Sequence, residues 1–274
     1  MRNRLVALAT AGLLLALAGA PATAITGNYT NDFDHPFVGL AVFYDDQGEF
    51  SHRCSGSLVS PTVVVTAGHC TEGVTEARIY FEQDAGAHYD SATEIDPVSG
   101  YPEWGGVTGT AHNYGFANFA GYPNTRDLGV VVLDEPIGAS KYQITEFGQL
   151  PTAGFLDQVA KRGTDYAWFT MSGYGLSDQK PATVSYRIRL QGTSQLVNLG
   201  SRNTDGYNLQ TTASKGEGRA GTCSGDSGGP FFWRDTNIIV SVNSFGMSAI
   251  CAGVDFSYRI DRTSTLDWIE DFLD

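Results

Sequence analysis

Short runs of branched and aromatic residues, closed off by glycine, aspartate or proline, recur along the chain. Phe37 to Phe43, Ser57 to Thr66 and Arg78 to Phe81 read as strands, with Gly106 to Thr110 and His112 to Tyr114 as shorter ordered pieces. Leu128 to Leu133 is a continuous apolar strand that ends at Asp134-Glu135-Pro136. Trp168 to Gly175, Ser185 to Gln191, Ile238 to Ser244 and Val254 to Ile260 repeat the pattern later. Residues 84–126 are rich in Gly, Tyr, Asn and Pro and predict long surface loops leading to Asp127. Pro136 to Pro151 reads as a crossover between two halves. Helical spacing is clearest at Ser264 to Phe272, where a Ser/Thr start precedes Leu266, Ile269 and Leu273 on one face. The predicted class is all-β with a C-terminal helix, and no internal repeat is visible.

Composition adds a compartment. The first residues carry Arg2 and Arg4, then an apolar run from Leu5 to Ala18, then Ala22-Thr23-Ala24. That order is the pattern of an export leader, and the run is shorter than the roughly 20 residues a membrane span needs. Residues 1–24 are therefore expected to be removed on secretion. Their loss takes the formal charge from −13 to −15. Such a surface excludes nucleic acid as a partner and favours cationic ones. The 274 residues, 42% of them hydrophobic, suffice for one large domain or two small ones. All four cysteines follow the leader, and an even number in a secreted chain predicts disulfides in one of three pairings. A metal cluster would want close Cys-x-x-Cys spacing, which is missing. Nothing calls for a cofactor or metal; a calcium site at Glu72, Glu76 and Glu82 is the weaker alternative to a solvated acidic loop.

The chemistry concentrates in two stretches. In Gly225-Asp226-Ser227-Gly228-Gly229-Pro230 the glycines let the backbone bend sharply and present the Ser227 hydroxyl. A hydroxyl is a weak nucleophile unless a base stands beside it. Thr66-Ala67-Gly68-His69-Cys70, after the apolar Val63-Val64-Val65, offers that base in His69. His35, His52, His88 and His112 lack such a setting and read as surface or structural residues. Asp127, just before an apolar strand, is the best third member, ahead of Asp134, Asp90 and Asp96. Gly225-x-Ser227-x-Gly229 also fits the nucleophile elbow of α/β-hydrolases, but those place a histidine after the serine, and the last histidine here is His112. A subtilisin-like order would use Asp32 or Asp34, which have no supporting motif.

These segments, together with Cys54-Ser55-Gly56-Ser57-Leu58, Asp127 to Leu133 and Ser244-Phe245-Gly246, resemble the chymotrypsin/trypsin-type serine proteases in kind and in order. The resemblance spans nearly all of residues 25–274. It implies two packed six-stranded β-barrels, at about 25–136 and 150–263, with the helix at about 264–273. It implies a triad of His69, Asp127 and Ser227 in the cleft, and an oxyanion hole from the N–H groups of Gly225 and Ser227. Ser244 would help hold Asp127. The implied disulfides are Cys54–Cys70 and Cys223–Cys251, each worth about 3 kcal/mol by loop closure. Ile25-Thr26-Gly27-Asn28 resembles the family's mature start, so a free Ile25 ammonium would pair with Asp226. Ser172-Gly173-Tyr174-Gly175 resembles a family turn with Tyr in place of Trp, and the tryptophans (Trp104, Trp168, Trp233, Trp268) read as core.

Specificity is where the resemblance thins. The pocket floor falls on Gly221 and carries no acid, which argues against ordinary trypsin specificity. Thr222, Phe245 and Gly246 would line the pocket. Asp255 either enters it or is a solvated strand-end acid, with the solvated reading ahead, and Phe256 could instead fill it. An apolar or mixed preference is expected. The implied activity is a secreted, monomeric endopeptidase acting on proteins or peptides, a target for proteinaceous inhibitors, with no nucleic-acid or membrane partner. A silent homologue that only binds, and an esterase using the same acyl chemistry, are the alternatives.

Overall fold

The computed structural model describes residues 25–273, apart from 88, 90–99, 102–104, 139–140, 161–166, 178–182 and 186. The expected leader, His88, Asp90, Asp96 and Trp104 lie outside the described residues.

Two short strands, β1 (Thr26–Gly27) and β2 (Tyr29–Asn31), precede the barrels. The first barrel is formed by β3 (Val38–Tyr44), β4 (Phe50–Leu58), β5 (Val63–Thr66), β6 (Glu76–Tyr80), β7 (Val107–Asn113) and β8 (Gly129–Leu133). They close in the order β3-β4-β5-β8-β7-β6. The second is formed by β9 (Trp168–Gly173), β10 (Leu190–Asn198), β11 (Asn208–Ala213), β13 (Pro230–Trp233), β14 (Ile239–Gly246) and β15 (Gly253–Arg259). It closes where β10 meets β11. All these pairings are antiparallel, in keeping with the barrels that the family resemblance implied.

Strand β3 is buried at all seven positions because it faces its own barrel on one side and the neighbouring barrel on the other. Phe37 meets Phe232 of the second barrel edge-to-face at 5.8 Å. The C-terminal helix (Thr263–Glu270) buries Leu266 and Ile269 and returns to the first barrel, with Trp268 against Tyr114 at 5.1 Å. Both disulfides, Cys54–Cys70 and Cys223–Cys251, are formed.

Four local readings change. Ser57 to Thr66 is not one strand. It turns at Ser60-Pro61, where Ser60 Oγ accepts the N–H groups of Thr62 and Val63. The Ser185–Gln191 strand lies further on, at Leu190–Asn198. Strands β11 and β13 carry patterns too polar or too short to announce themselves. The N-terminal strands belong with the second barrel rather than the first: Thr26 pairs with Gly221 on β12 (Ala220–Gly221), and Tyr29 pairs with Gly192.

One buried cation joins the two barrels. Arg189, 3% exposed, donates to the carbonyls of Val38 and Phe81 in the first barrel. It also donates to the Asp32 carbonyl and to the Tyr174 hydroxyl oxygen. Tyr174 itself is fully buried and donates to the Glu82 carbonyl at 2.7 Å. Arg189→Met would strand these acceptors away from water, so a loss of about 3 kcal/mol or more is expected. Calorimetry of the folded variant should show a midpoint roughly 6–12 °C lower; a shift under about 2 °C would mean the barrels do not depend on this junction.

Candidate active site

The site lies where the ends of the two barrels meet. β5 stops at Thr66, Ala67 stays extended, and the single turn α1 (Gly68–Thr71) presents His69. Cys70, the next residue, is tied through its disulfide to Cys54 on β4, which fixes the turn to the barrel wall. Asp127 precedes β8 and is wholly buried. Its carboxylate accepts the His69 backbone N–H at 2.6 Å and faces His69 Nδ1 at 2.9 Å. The Ser244 hydroxyl donates to the same carboxylate. An ionised carboxylate only accepts, so Nδ1 carries the imidazole proton and Nε2 is left as an acceptor. The ring is partly exposed on its cleft side and rests edge-on against Phe116 at 5.9 Å.

Ser227 comes to this histidine by a close approach of backbones. Gly228 has φ +76°, and a Cβ there would fall 2.7 Å from the Ala67 nitrogen and onto the Thr66 hydroxyl. The Ser227 carbonyl accepts the Ser55 N–H at 2.8 Å. The serine turn therefore abuts the segment that launches His69.

The orientation of the neighbouring amides follows from peptide planarity, which sets each N–H opposite the preceding carbonyl. The Ser224 carbonyl is held by the Leu176 N–H and the Asp226 carbonyl by the Gly229 N–H, both at 2.8 Å. The N–H groups of Gly225 and Ser227 point the other way. Among the described residues neither has a hydrogen-bond partner within the chain. Gly225 reaches its φ of +96° without strain because it has no side chain. Two unspent donors beside a serine are what a developing oxyanion needs.

Asp226 is fully buried on the far side of this turn. It accepts the N–H groups of Cys223 at 2.9 Å and Gly175 at 2.8 Å. Burial pushes its carboxyl up to about 7, against the pull of those two amides and of Arg53. Ile25 is also buried. A Cβ on Gly192 would touch its Cγ2 at 3.1 Å, and one on Gly173 would collide with the Asp226 carboxylate. Gly173 pairs with Leu190, two residues from Gly192, so Ile25 and Asp226 lie over the same face of one hairpin.

A cavity of about 210 Å³ opens beside Ser227, lined by Thr222, Ser244, Phe245, Gly246 and Asp255 among others. Two specificity expectations need correction. Asp255 is not a solvated acid. It is 2% exposed, it lines the cavity, and it accepts the Thr222 N–H at 2.7 Å. Burial pushes its carboxyl up to about 7. Phe256, the next residue on β15, points to the opposite side, as strand alternation requires, and stacks on Phe245 at 4.7 Å. It therefore does not fill the cavity. Gly246 keeps the acid accessible, since a Cβ there would lie 3.5 Å from Asp255 Oδ1. Gly221 sits behind the lining, paired with Thr26 and against Ala213.

Several residues around the site were given no role there by the sequence. Ser55 and Leu176 orient the serine turn, and Asn243 accepts the Thr222 hydroxyl. Phe119 meets Phe245 edge-on at 5.5 Å. Asn28, in a glycosylation sequon, spends its amide on the carbonyls of Lys215 and Arg219. Among the described residues, Cys54, His69 and Cys70 cluster closely enough to suggest a metal, but both sulfurs are in the disulfide.

The comparisons with known proteins agree with this arrangement. The trypsin family model matches residues 25–269. Serine protease 1 of Drosophila melanogaster is 28% identical over 268 residues, covering 93% of this chain and 89% of that protein. Brachyurin of Leptuca pugilator is 28% identical, covering 84% and 90%. Among solved structures, HL collagenase superposes with a TM-score of 0.63 at 19% identity, over 91% of this chain and 97% of the other. An inactivated protease paralogue of the scabies mite superposes with a TM-score of 0.60 at 16% identity, over 91% and 99%. Such identities speak for the fold alone, whereas the family match over nearly the whole described chain decides membership. With two antiparallel barrels, a buried aspartate on a cleft histidine and a serine turn pressed against it, the chain belongs to the trypsin family of serine proteases.

Proposed function

We propose that the protein is a secreted serine endopeptidase in which His69, Asp127 and Ser227 form the catalytic triad. The observation that carries this reading is the pair of unpartnered N–H groups at Gly225 and Ser227, beside a histidine whose Nδ1 is committed to Asp127. Ser227 Oγ attacks the scissile carbonyl while His69 Nε2 takes its proton. Asp127 holds the ring and stabilises the imidazolium. The two amides receive the oxyanion, and His69 then protonates the leaving amine. Water repeats the sequence on the acyl-enzyme. Secretion rests on the leader pattern from Arg2 to Ala24. No described helix is long and apolar enough to cross a membrane.

Maturation fits the same picture. Asp226 is a buried carboxylate held by amides, beside the place where Ile25 is buried. Cleavage before Ile25 would turn a peptide nitrogen into an ammonium that can pair with it. The secreted, active protein is accordingly expected to begin at Ile25, which N-terminal sequencing or intact mass would check.

The pocket acid refines the substrate class. A protonated Asp255 accepts polar or apolar side chains at the residue before the scissile bond, and an ionised one favours Lys or Arg. With its carboxyl near 7, the ionised fraction rises from about one tenth at pH 6 to about nine tenths at pH 8. The same shift has a cost in stability. Because the folded-state value is raised, the favourable contribution is present at acid pH and fades as pH climbs from about 4 through about 7.

Two experiments test the reading. Hydrolysis of a fluorogenic peptide library by the chain starting at Ile25 should fall by about 10⁴-fold or more in Ser227→Ala. Undiminished hydrolysis would remove Ser227 from the mechanism, and no hydrolysis by either protein would favour a binding homologue. For specificity, the ratio of kcat/KM for a Lys substrate over its Leu counterpart should rise up to about ninefold between pH 6 and pH 8. The ratio cancels any pH effect on the chemical step, which both substrates share. In Asp255→Asn it should be flat; a flat ratio in the wild type would take Asp255 out of substrate selection.

A further inference from the structure

Arg53 sits on β4 immediately before Cys54, and its guanidinium leaves the first barrel to meet the second. Nη1 donates to the Tyr174 carbonyl and Nη2 to the Ser185 hydroxyl oxygen, both at 2.7 Å. The Tyr174 carbonyl belongs to the same planar peptide unit as the Gly175 N–H, and that N–H donates to Asp226 at 2.8 Å. One peptide is thus held between a cation on its oxygen and a carboxylate on its hydrogen, each bond polarising the other. The guanidinium also borders Gly225, whose Cβ would lie 3.4 Å from the Arg53 Cζ and 3.0 Å from the Gly175 Cα. Two residues along the strand, Ser55 accepts the Tyr174 N–H at 3.0 Å and donates to the Gly225 carbonyl at 2.9 Å.

We propose that Arg53 is a positioning residue for the oxyanion hole, holding the Tyr174–Gly175 peptide so that Asp226 and Gly225 keep the N–H groups of the serine turn aimed into the cleft. The proposal rests on the serine-protease reading above. It assigns to a first-barrel side chain a part in shaping donors that belong to the second barrel. Arg53 acts through the Tyr174–Gly175 peptide, which makes it a positioning residue and not a catalytic one. Its effect should appear where charge develops on the oxyanion and not where a ground-state peptide binds. The planar fork is needed because two acceptors are met at once; a lysine keeps the charge but reaches only one.

The test uses the chain starting at Ile25, as wild type, Arg53→Met, Arg53→Lys and Ser185→Ala. A portion of each is labelled at Ser227 with a fluorophosphonate to count active sites, and a separate, unlabelled portion is assayed for kcat, KM, affinity for a peptide boronate that mimics the tetrahedral adduct, and affinity for the matching product peptide. Arg53→Met should lower kcat about 10- to 100-fold and weaken the boronate to a similar degree. KM and product affinity should stay within about threefold, with a smaller loss in Arg53→Lys and a few-fold loss in Ser185→Ala. If Arg53→Met does not fold, the Lys and Ala variants carry the same comparison. Unchanged kcat and boronate affinity in the folded variants would overturn the proposal. So would boronate and product affinities falling together, which would mark a general disordering of the cleft. Failure of the wild type to label would overturn the serine-protease reading as well, whereas labelling without any effect of the substitutions would overturn this proposal alone.

Discussion

At Gly228 the second barrel meets the first so closely that a methyl group would run into Thr66 and Ala67. The proximity of Ser227 and His69 follows from that contact, because the histidine begins two residues beyond Ala67 and the serine immediately precedes the glycine. Backbone hydrogen bonds hold the approach on both sides. Ser55 donates to the Ser227 carbonyl, and Gly228 donates to the Asn243 carbonyl at 2.8 Å. Among the described residues, the N–H groups of Gly225 and Ser227 stay unspent and face the cleft. A protein interior seldom leaves donors idle, and it does so here where water or substrate can reach them.

The buried acids divide into two groups. Asp32 is held by His35, with both carboxylate oxygens near Nδ1, and by Ser172; these partners keep its carboxyl below the ordinary value despite its burial. Asp261 is gripped by Arg259 and accepts the Leu156 N–H at 2.8 Å. Asp226 and Asp255 rely instead on backbone amides, and burial lifts both to about 7. Thr222 and Cys223 are adjacent, and their N–H groups serve Asp255 and Asp226 respectively. The two buried acids with neither an imidazole nor a guanidinium hydrogen-bonded to them are those that the proposed function supplies from outside the fold, by an N-terminal ammonium in one case and a substrate side chain in the other. Uncompensated burial is expensive in a resting protein, and it is the means by which a site is made to prefer a charged visitor.

Much of this could be read along the chain. The apolar runs marked most of the strands, since β-branched residues bounded by glycine and proline have few other stable arrangements. The serine and histidine stretches stood out because a nucleophile and its base need specific local geometry. Other features escaped for physical reasons. Ser60-Pro61 breaks what looked like a single strand, because a turn of two residues hardly interrupts an apolar pattern. Asn208–Ala213 is polar at four of its six positions, without alternation, and is a strand only because β10 and β15 flank it. Asp255 read as a solvated acid because a lone carboxylate at a strand end usually is one; its burial comes from the Thr222 amide and the Cys223–Cys251 loop, which are distant or unmarked in sequence.

The sequence by itself determined the class of fold, the residues able to do acyl transfer, and the pairing of cysteines implied by the family it resembles. These are local matters, or matters of residue type in order. The tertiary structure decided which barrel the N-terminus joins, that the cavity acid is buried, and that Arg53 reaches from the first barrel to the Tyr174–Gly175 peptide behind the oxyanion donors. Each of these is a contact between segments far apart in the chain. No periodicity encodes such a contact, because its energy depends on the distance and orientation that folding alone sets.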